Sequence, residues 1–194
     1  DHRNEKAKLA KLVVTKSKVF RNIVDMERSS LAKRSRKLFT LSAFYNACAD
    51  LVQGLATGDL EEDASFIRQY WEKVAEQFPM WTQVRDGLIP ASEVREGYIH
   101  SHGITLQALG KVGNTLIQKY PDSWDKQLKR LRGIDWSRSN VNLWEGRAMI
   151  AGKISKASNN IILTTNAINK ALSLPFTKEQ ERIENAHIKS GEQS

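Results

Sequence analysis

Cysteine occurs once in this 194-residue chain, at Cys48, so no disulfide can close within it. Proline occurs only four times, and no apolar run approaches the roughly 20 residues that a membrane-crossing helix requires. The four histidines, His2, His100, His102 and His187, are scattered. Only His100 and His102 are close, and residues two apart do not share a helical face, so a metal site is not expected. A Walker-type phosphate loop, a dinucleotide fingerprint and a Gly-x-Ser-x-Gly nucleophile signature are all missing. No cofactor is expected, and an ATPase or nuclease role would need dispersed residues or a site completed by another domain. The chain opens Asp1-His2-Arg3-Asn4, with neither an initiator Met nor an apolar leader, which fits a processed or trimmed product.

What the sequence has is positive charge, unevenly spread. The formal net charge of +8 divides into +8 over residues 1–40, −6 over 41–99, +7 over 100–172 and −1 over 173–194. Two basic regions separated by an acidic one suit a polyanion. The sharpest local feature is Lys33-Arg34-Ser35-Arg36-Lys37, where side chains spread around a turn would meet successive phosphates, with Arg28 and Ser29 extending the line. Lys126, Lys129, Arg130, Arg132 and Arg138 make a second patch, enlarged by Lys153 and Lys156. Within it Trp136 offers a ring to stack on an exposed base, and Arg138 and Asn140 carry the donors and acceptors for base edges. The plainer readings are solvated basic faces and a Trp136 that anchors its loop to the core.

Apolar spacing is helical almost throughout. Leu9, Leu12 and Val13 mark one face between Glu5 and Lys18; Leu41, Phe44, Tyr45, Cys48, Leu51, Val52 and Leu55 mark a second helix after Thr40. A third spans about Glu61 to Phe78, with acids in its first turn and a broad face from Phe66 to Phe78, and is expected to pair antiparallel with the second. Pro79 closes it, Met80–Val84 is a local connector or a short helical turn, and Ser92 is a candidate cap. In His102–Tyr120, Gly110 and Gly113 forgo about 1 kcal/mol each in helix propensity, which implies close backbone approach. Shorter helices follow around Trp124–Leu131, from an Asn142/Glu145 capping box through Ile150, and from Ser158 to Leu172. A final helix capped by Thr177 and Gln180 should fray near His187. The expected fold is all-α, an irregular or orthogonal bundle of about eight short to medium helices, with subdomains 1–88 and 89–194 or one continuous domain. Cys48 falls on an apolar face, where a small buried group is the simpler reading and a redox-sensitive thiol the sharper one. Either fits a reducing cytoplasm.

Several phrases also resemble a known family. Residues Val24–Leu31, Ala32–Ala43, His102–Gly110, Asn142–Met149 and Ile162–Ile168 are similar to the helical region of DndB proteins, regulatory members of bacterial DNA phosphorothioation systems. The resemblance implies transcriptional control of the sulfur-modification genes, binding to double-stranded DNA, and an upstream domain with a DGQHR motif. That motif is absent from this sequence, and its chemistry does not transfer to His2 and Arg3. A DNA-binding regulatory module is therefore expected, alone, with an upstream domain or as a homo-oligomer. A helical scaffold that supports a domain lying elsewhere is the alternative.

Overall fold

The computed structural model describes the backbone of residues 2–193 and side chains from residue 7 to 193. Ten α-helices account for most of them, two more than expected, because segments too short to show periodicity also fold helically. In order the elements are α1 (His2–Lys16), β1 (Val24–Asp25), β2 (Phe39–Thr40), α2 (Leu41–Leu51), α3 (Leu60–Ala75), α4 (Pro79–Arg85), α5 (Ala91–Gly97), α6 (Gly103–Lys119), α7 (Trp124–Gln127), α8 (Val141–Trp144), β3 (Met149–Ile150), β4 (Lys153–Ile154), α9 (Ser158–Ala171) and α10 (Lys178–Glu192). Single 3₁₀ segments follow α1, α5 and α7.

Capping chemistry explains several starts. The Thr40 hydroxyl accepts from the Ala43 N–H, Asp59 accepts from Glu62, and Thr177 and Gln180 cap each other's backbone. Pro79 begins α4 at its first turn, where its missing N–H costs nothing, so of the two readings of Met80–Val84, connector or short helical turn, the helical one holds, and α3 ends at Ala75. Ser92 caps nothing, since Pro90 holds the N-cap position of α5. The Asn142/Glu145 box is also absent: α8 starts after Asn140 and stops at Trp144, and the chain then turns into the β3–β4 hairpin. Helix α10 runs past His187 to Glu192. Asp63 does more than meet a helix dipole, because its carboxylate accepts from Thr57 N–H and hydroxyl and from Gly58 N–H, stapling the preceding loop.

The principal helix pair is α2 with α6, not α2 with α3. Gly103 and Gly110 lie over Ala43 and Ala47, and a Cβ at Gly110 would overlap the Ala47 backbone. Gly113 leaves room for the Tyr70 ring, whose hydroxyl donates to the Leu109 carbonyl. The glycines expected to permit close approach are thus consumed within the chain. Around this pair, Phe20 packs among Phe39, Phe44, Trp71 and Trp81, while Trp136 stacks on Trp144. Buried apolar residues from Leu9 to Leu174, apart from Leu163, form one continuous cluster that crosses the 88/89 position.

Candidate nucleic-acid interface

Residues 26–38 form a loop between two strands that lie side by side. Strands β1 and β2 pair in parallel, Val24 with Phe39 and Asp25 with Thr40, so the chain leaves the core and returns beside itself. The Asp25 carboxylate accepts from the Glu27 and Arg28 N–H groups, and Ser35 N–H donates to the Ala32 carbonyl, which gives the excursion two tight turns. Arg28, Lys33, Arg34 and Arg36 are exposed on it; Lys37 is half-buried and its ammonium donates to the Asn22 carbonyl at 3.0 Å.

The loop is held from beneath by a cation. Arg95 of α5 is only 9% exposed, and its guanidinium donates to the carbonyls of Ala32, Lys33, Ser35 and Lys37. Inward-turned carbonyl oxygens solvate the Arg95 cation in place of water, and Arg28, Lys33, Arg34 and Arg36 stay exposed. Burial draws the Arg95 pKa down from its usual value, against the pull of Glu96. The Arg95 carbonyl is engaged in turn by His102 Nε2 at 2.6 Å and Arg138 at 3.2 Å. Burial lowers the His102 pKa to about 4, so the ring is neutral at pH 7 and Nε2 carries the proton that this carbonyl accepts.

A cleft of about 350 Å³ opens beside the loop. Its walls come from Ser29, Ser30 and Lys33 of the loop, the starts of α2 and α6, Ile154 at the end of β4, and Ser155 and Lys156 after it. Arg95 and His102 also reach it, and among the described residues no Asp or Glu lines it. Lys33 and Lys156, more than a hundred residues apart in sequence, therefore border one space. Sequence reasoning missed Arg95, which lies in an acidic segment, and weighed His102 only as a metal ligand.

Other expected site residues lie elsewhere or have different partners. Lys126, Lys129, Arg130 and Arg132 are exposed on and after α7 and do not line the cleft; Arg130 donates to the Leu172 carbonyl and Arg132 to that of Glu76. Lys153 is exposed on the hairpin. Trp136 is 7% exposed, its ring N–H donates to the Leu131 carbonyl and its face meets Trp144, so it anchors the loop and cannot stack on a base. Arg138 spends its fork on the Arg95 and Gly152 carbonyls, and Asn140 donates to the Asp135 carbonyl; both tie backbone segments together and are not poised for base edges. Cys48 is buried in the α2 face, where desolvation pushes its thiol pKa up, against a weaker pull from Trp71, so it is not a reactive switch in the folded chain.

The His2 side chain lies outside the described residues. Among those described, no three His, Cys, Asp or Glu side chains gather as a metal-binding group, and no helix is long and apolar enough to cross a membrane. Residues 1–175 match the family model described as DndB, DNA-sulfur modification-associated. No curated protein and no solved structure matches the chain.

Proposed function

Because the chain belongs to the DndB family of DNA-sulfur modification-associated proteins, we propose that it is a duplex-DNA-binding regulatory module of a DNA sulfur-modification system. The observation that carries this reading is the cleft: lysines from both basic segments border it, and no carboxylate of the described residues lines it. Lys33, Arg34 and Arg36 meet phosphates from the loop, and Lys156 meets them from the segment after β4. Arg95 and His102 position the loop without needing to touch DNA. These are backbone contacts, so they provide affinity and register; base selection does not follow from them. The scaffold alternative gains nothing from the close-packing glycines, since Gly110 and Gly113 are occupied by Ala47 and Tyr70 of the same chain.

The test is binding to duplex DNA from the upstream region of its own gene cluster, followed over a salt series. Each phosphate contact contributes about 0.9 to the slope of log affinity against log salt. Neutralising Lys33, Arg34 and Arg36 together should flatten that slope by about 2 to 3, and Lys156→Gln by up to about 1. A slope unchanged in both variants, with the fold retained, would place the DNA elsewhere on the molecule.

A further inference from the structure

Helix α10 lies beyond the span of the family match, and its attachment differs from that of the other long helices. Only Gln180, Ile183 and Glu184 are buried on it, and its main neighbour is α9. Ile183 and the α9 residue Leu163 are buried, yet both stand outside the continuous apolar core. The contact is instead organised around one carboxylate. Glu184, 4% exposed, receives the Arg147 fork on its two oxygens at 2.7 and 2.8 Å, the Lys170 ammonium at 2.6 Å and the Asn166 amide at 3.2 Å.

Two cations and an amide thus converge on a single negative charge. A guanidinium fork, a point ammonium and a neutral N–H donor are also what a tetrahedral oxyanion takes, and Arg binds carboxylate and phosphate with the same bidentate geometry. The Glu184 oxygens stand where two phosphate oxygens would. The surrounding surface continues this character: the Lys170 side chain is 52% exposed, and close by Lys119 donates to the Ser173 carbonyl and Arg130 to that of Leu172. Asn166 is fully buried at the α9–α10 contact, where its amide also donates to the Gln180 carbonyl at 3.1 Å and its Oδ1 has no partner.

We infer that Arg147, Lys170 and Asn166 form a second phosphate-binding cradle for the DNA backbone, and that Glu184 of α10 occupies it in the free chain as a displaceable mimic of the ligand. The inference rests on the DNA-binding reading above. When a phosphodiester enters, the ion pairs of Arg147 and Lys170 are exchanged and not broken, α10 leaves α9, and the basic surface at Lys119, Arg130 and Lys170 becomes continuous with Arg147. DNA and α10 then compete for the same donors, so weakening one strengthens the other.

The experiment measures anisotropy of a labelled duplex at low salt with the full chain, Glu184→Gln and Glu181→Gln. The two substitutions remove the same charge from the same helix, but Glu181 is exposed and does not belong to the cradle. Glu184→Gln should tighten binding by about tenfold, and Glu181→Gln should change it less than about twofold. Adding Lys170→Gln to Glu184→Gln should cancel most of the gain. Equal effects of the two glutamate substitutions, or a gain that survives Lys170→Gln, would overturn the cradle. Should Glu184→Gln fail to fold, the parent chain still decides the matter through hydrogen exchange: DNA must accelerate exchange of the α10 amides, and unchanged or slowed exchange overturns the inference. Inorganic phosphate, followed by phosphorus NMR line broadening, separates the two readings. Broadening by Glu184→Gln that Lys170→Gln abolishes supports the cradle even if no chain binds DNA, which would reject the DNA reading alone. Duplex binding through the loop cleft with no phosphate response in Glu184→Gln would reject the cradle alone.

Discussion

Acidification should destabilise this fold well before its carboxylates titrate, through His100 and His102. His100 is buried among Phe78, Tyr98 and Trp136, with its Nδ1 unpartnered. His102 is partly covered and bonded to the Arg95 carbonyl. Desolvation lowers both pKa values from 6.5 to about 4, with neighbouring positive charge contributing. The unfolded chain therefore takes up both protons near pH 6.5, while the folded chain resists until near pH 4. Stability present above pH 6.5 is lost as pH falls through that window. For one such histidine the loss between pH 7 and pH 5 is about 2 kcal/mol, and for the two about 4 kcal/mol, a large share of a typical domain's stability. Glu184 stays silent over this range: its pKa is lowered to about 2, first by Arg147, so its contribution is present above pH 4.5 and lost only as pH falls toward 2. Urea unfolding at pH 7, 6 and 5 measures the effect. His102→Gln keeps a donor for the Arg95 carbonyl, and His100→Phe suits the aromatic surroundings, so the double variant should retain most stability at pH 7 and lose most of the slope. A flat profile in the parent chain, or a slope that persists in the double variant, would refute the reasoning.

Gly110→Ala should cost a few kcal/mol in urea unfolding despite better helix propensity, because its Cβ meets the Ala47 backbone, whereas Gly97→Ala, facing open space, should be neutral or mildly stabilising. Arg95→Lys keeps the charge but loses the fork over four carbonyls; a loss of about 2 kcal/mol is expected, with weaker DNA binding and a shallower salt slope as the loop loosens. Cys48 should be unreactive toward a thiol reagent in the native chain and react on unfolding, and mild oxidation should leave DNA affinity unchanged while the fold is intact. Trp136→Phe should lower the thermal midpoint through the lost Leu131 hydrogen bond and Trp144 stacking, with no change in DNA affinity.

Helix faces were legible where the apolar repeat is long. Phe44, Cys48 and Leu51 on α2, and Ile67, Tyr70, Trp71 and Val74 on α3, are buried as their spacing predicts. Periodicity names the buried face but not what covers it, and so α2 was expected against the adjacent α3 when its partner α6 lies about fifty residues further on. The glycines carried better information, because a position that tolerates no Cβ reports the distance to a neighbour whatever that neighbour is. Short helices such as α4 and α8 span too few residues to show a repeat, and α4 rests on the N1 preference of Pro79, which also reads as a helix stop.

The candidate interface was half legible for a related reason: sequence order records where cations are, but not which are spent on backbone. Arg95 belongs to the acidic segment yet organises the basic loop, since a buried guanidinium can be satisfied by carbonyls that no sequence pattern displays. Arg138 and Arg147 were counted in the second basic region, but one binds carbonyls and the other Glu184. The division has a chemical basis. Arginine's planar fork can hold two acceptors in fixed directions, which suits it to tie distant segments together, whereas a lysine ammonium is strongly hydrated and stays at the surface unless a partner compensates it. Lys33, Lys126, Lys129, Lys153 and Lys156 are exposed here, and Arg95, Arg138 and Arg147 are half-buried or buried. The positive charge available to a polyanion is accordingly smaller than the formal count of the two basic regions and comes from the exposed lysines together with Arg21, Arg130, Arg132 and, on the loop that Arg95 holds in place, Arg28, Arg34 and Arg36.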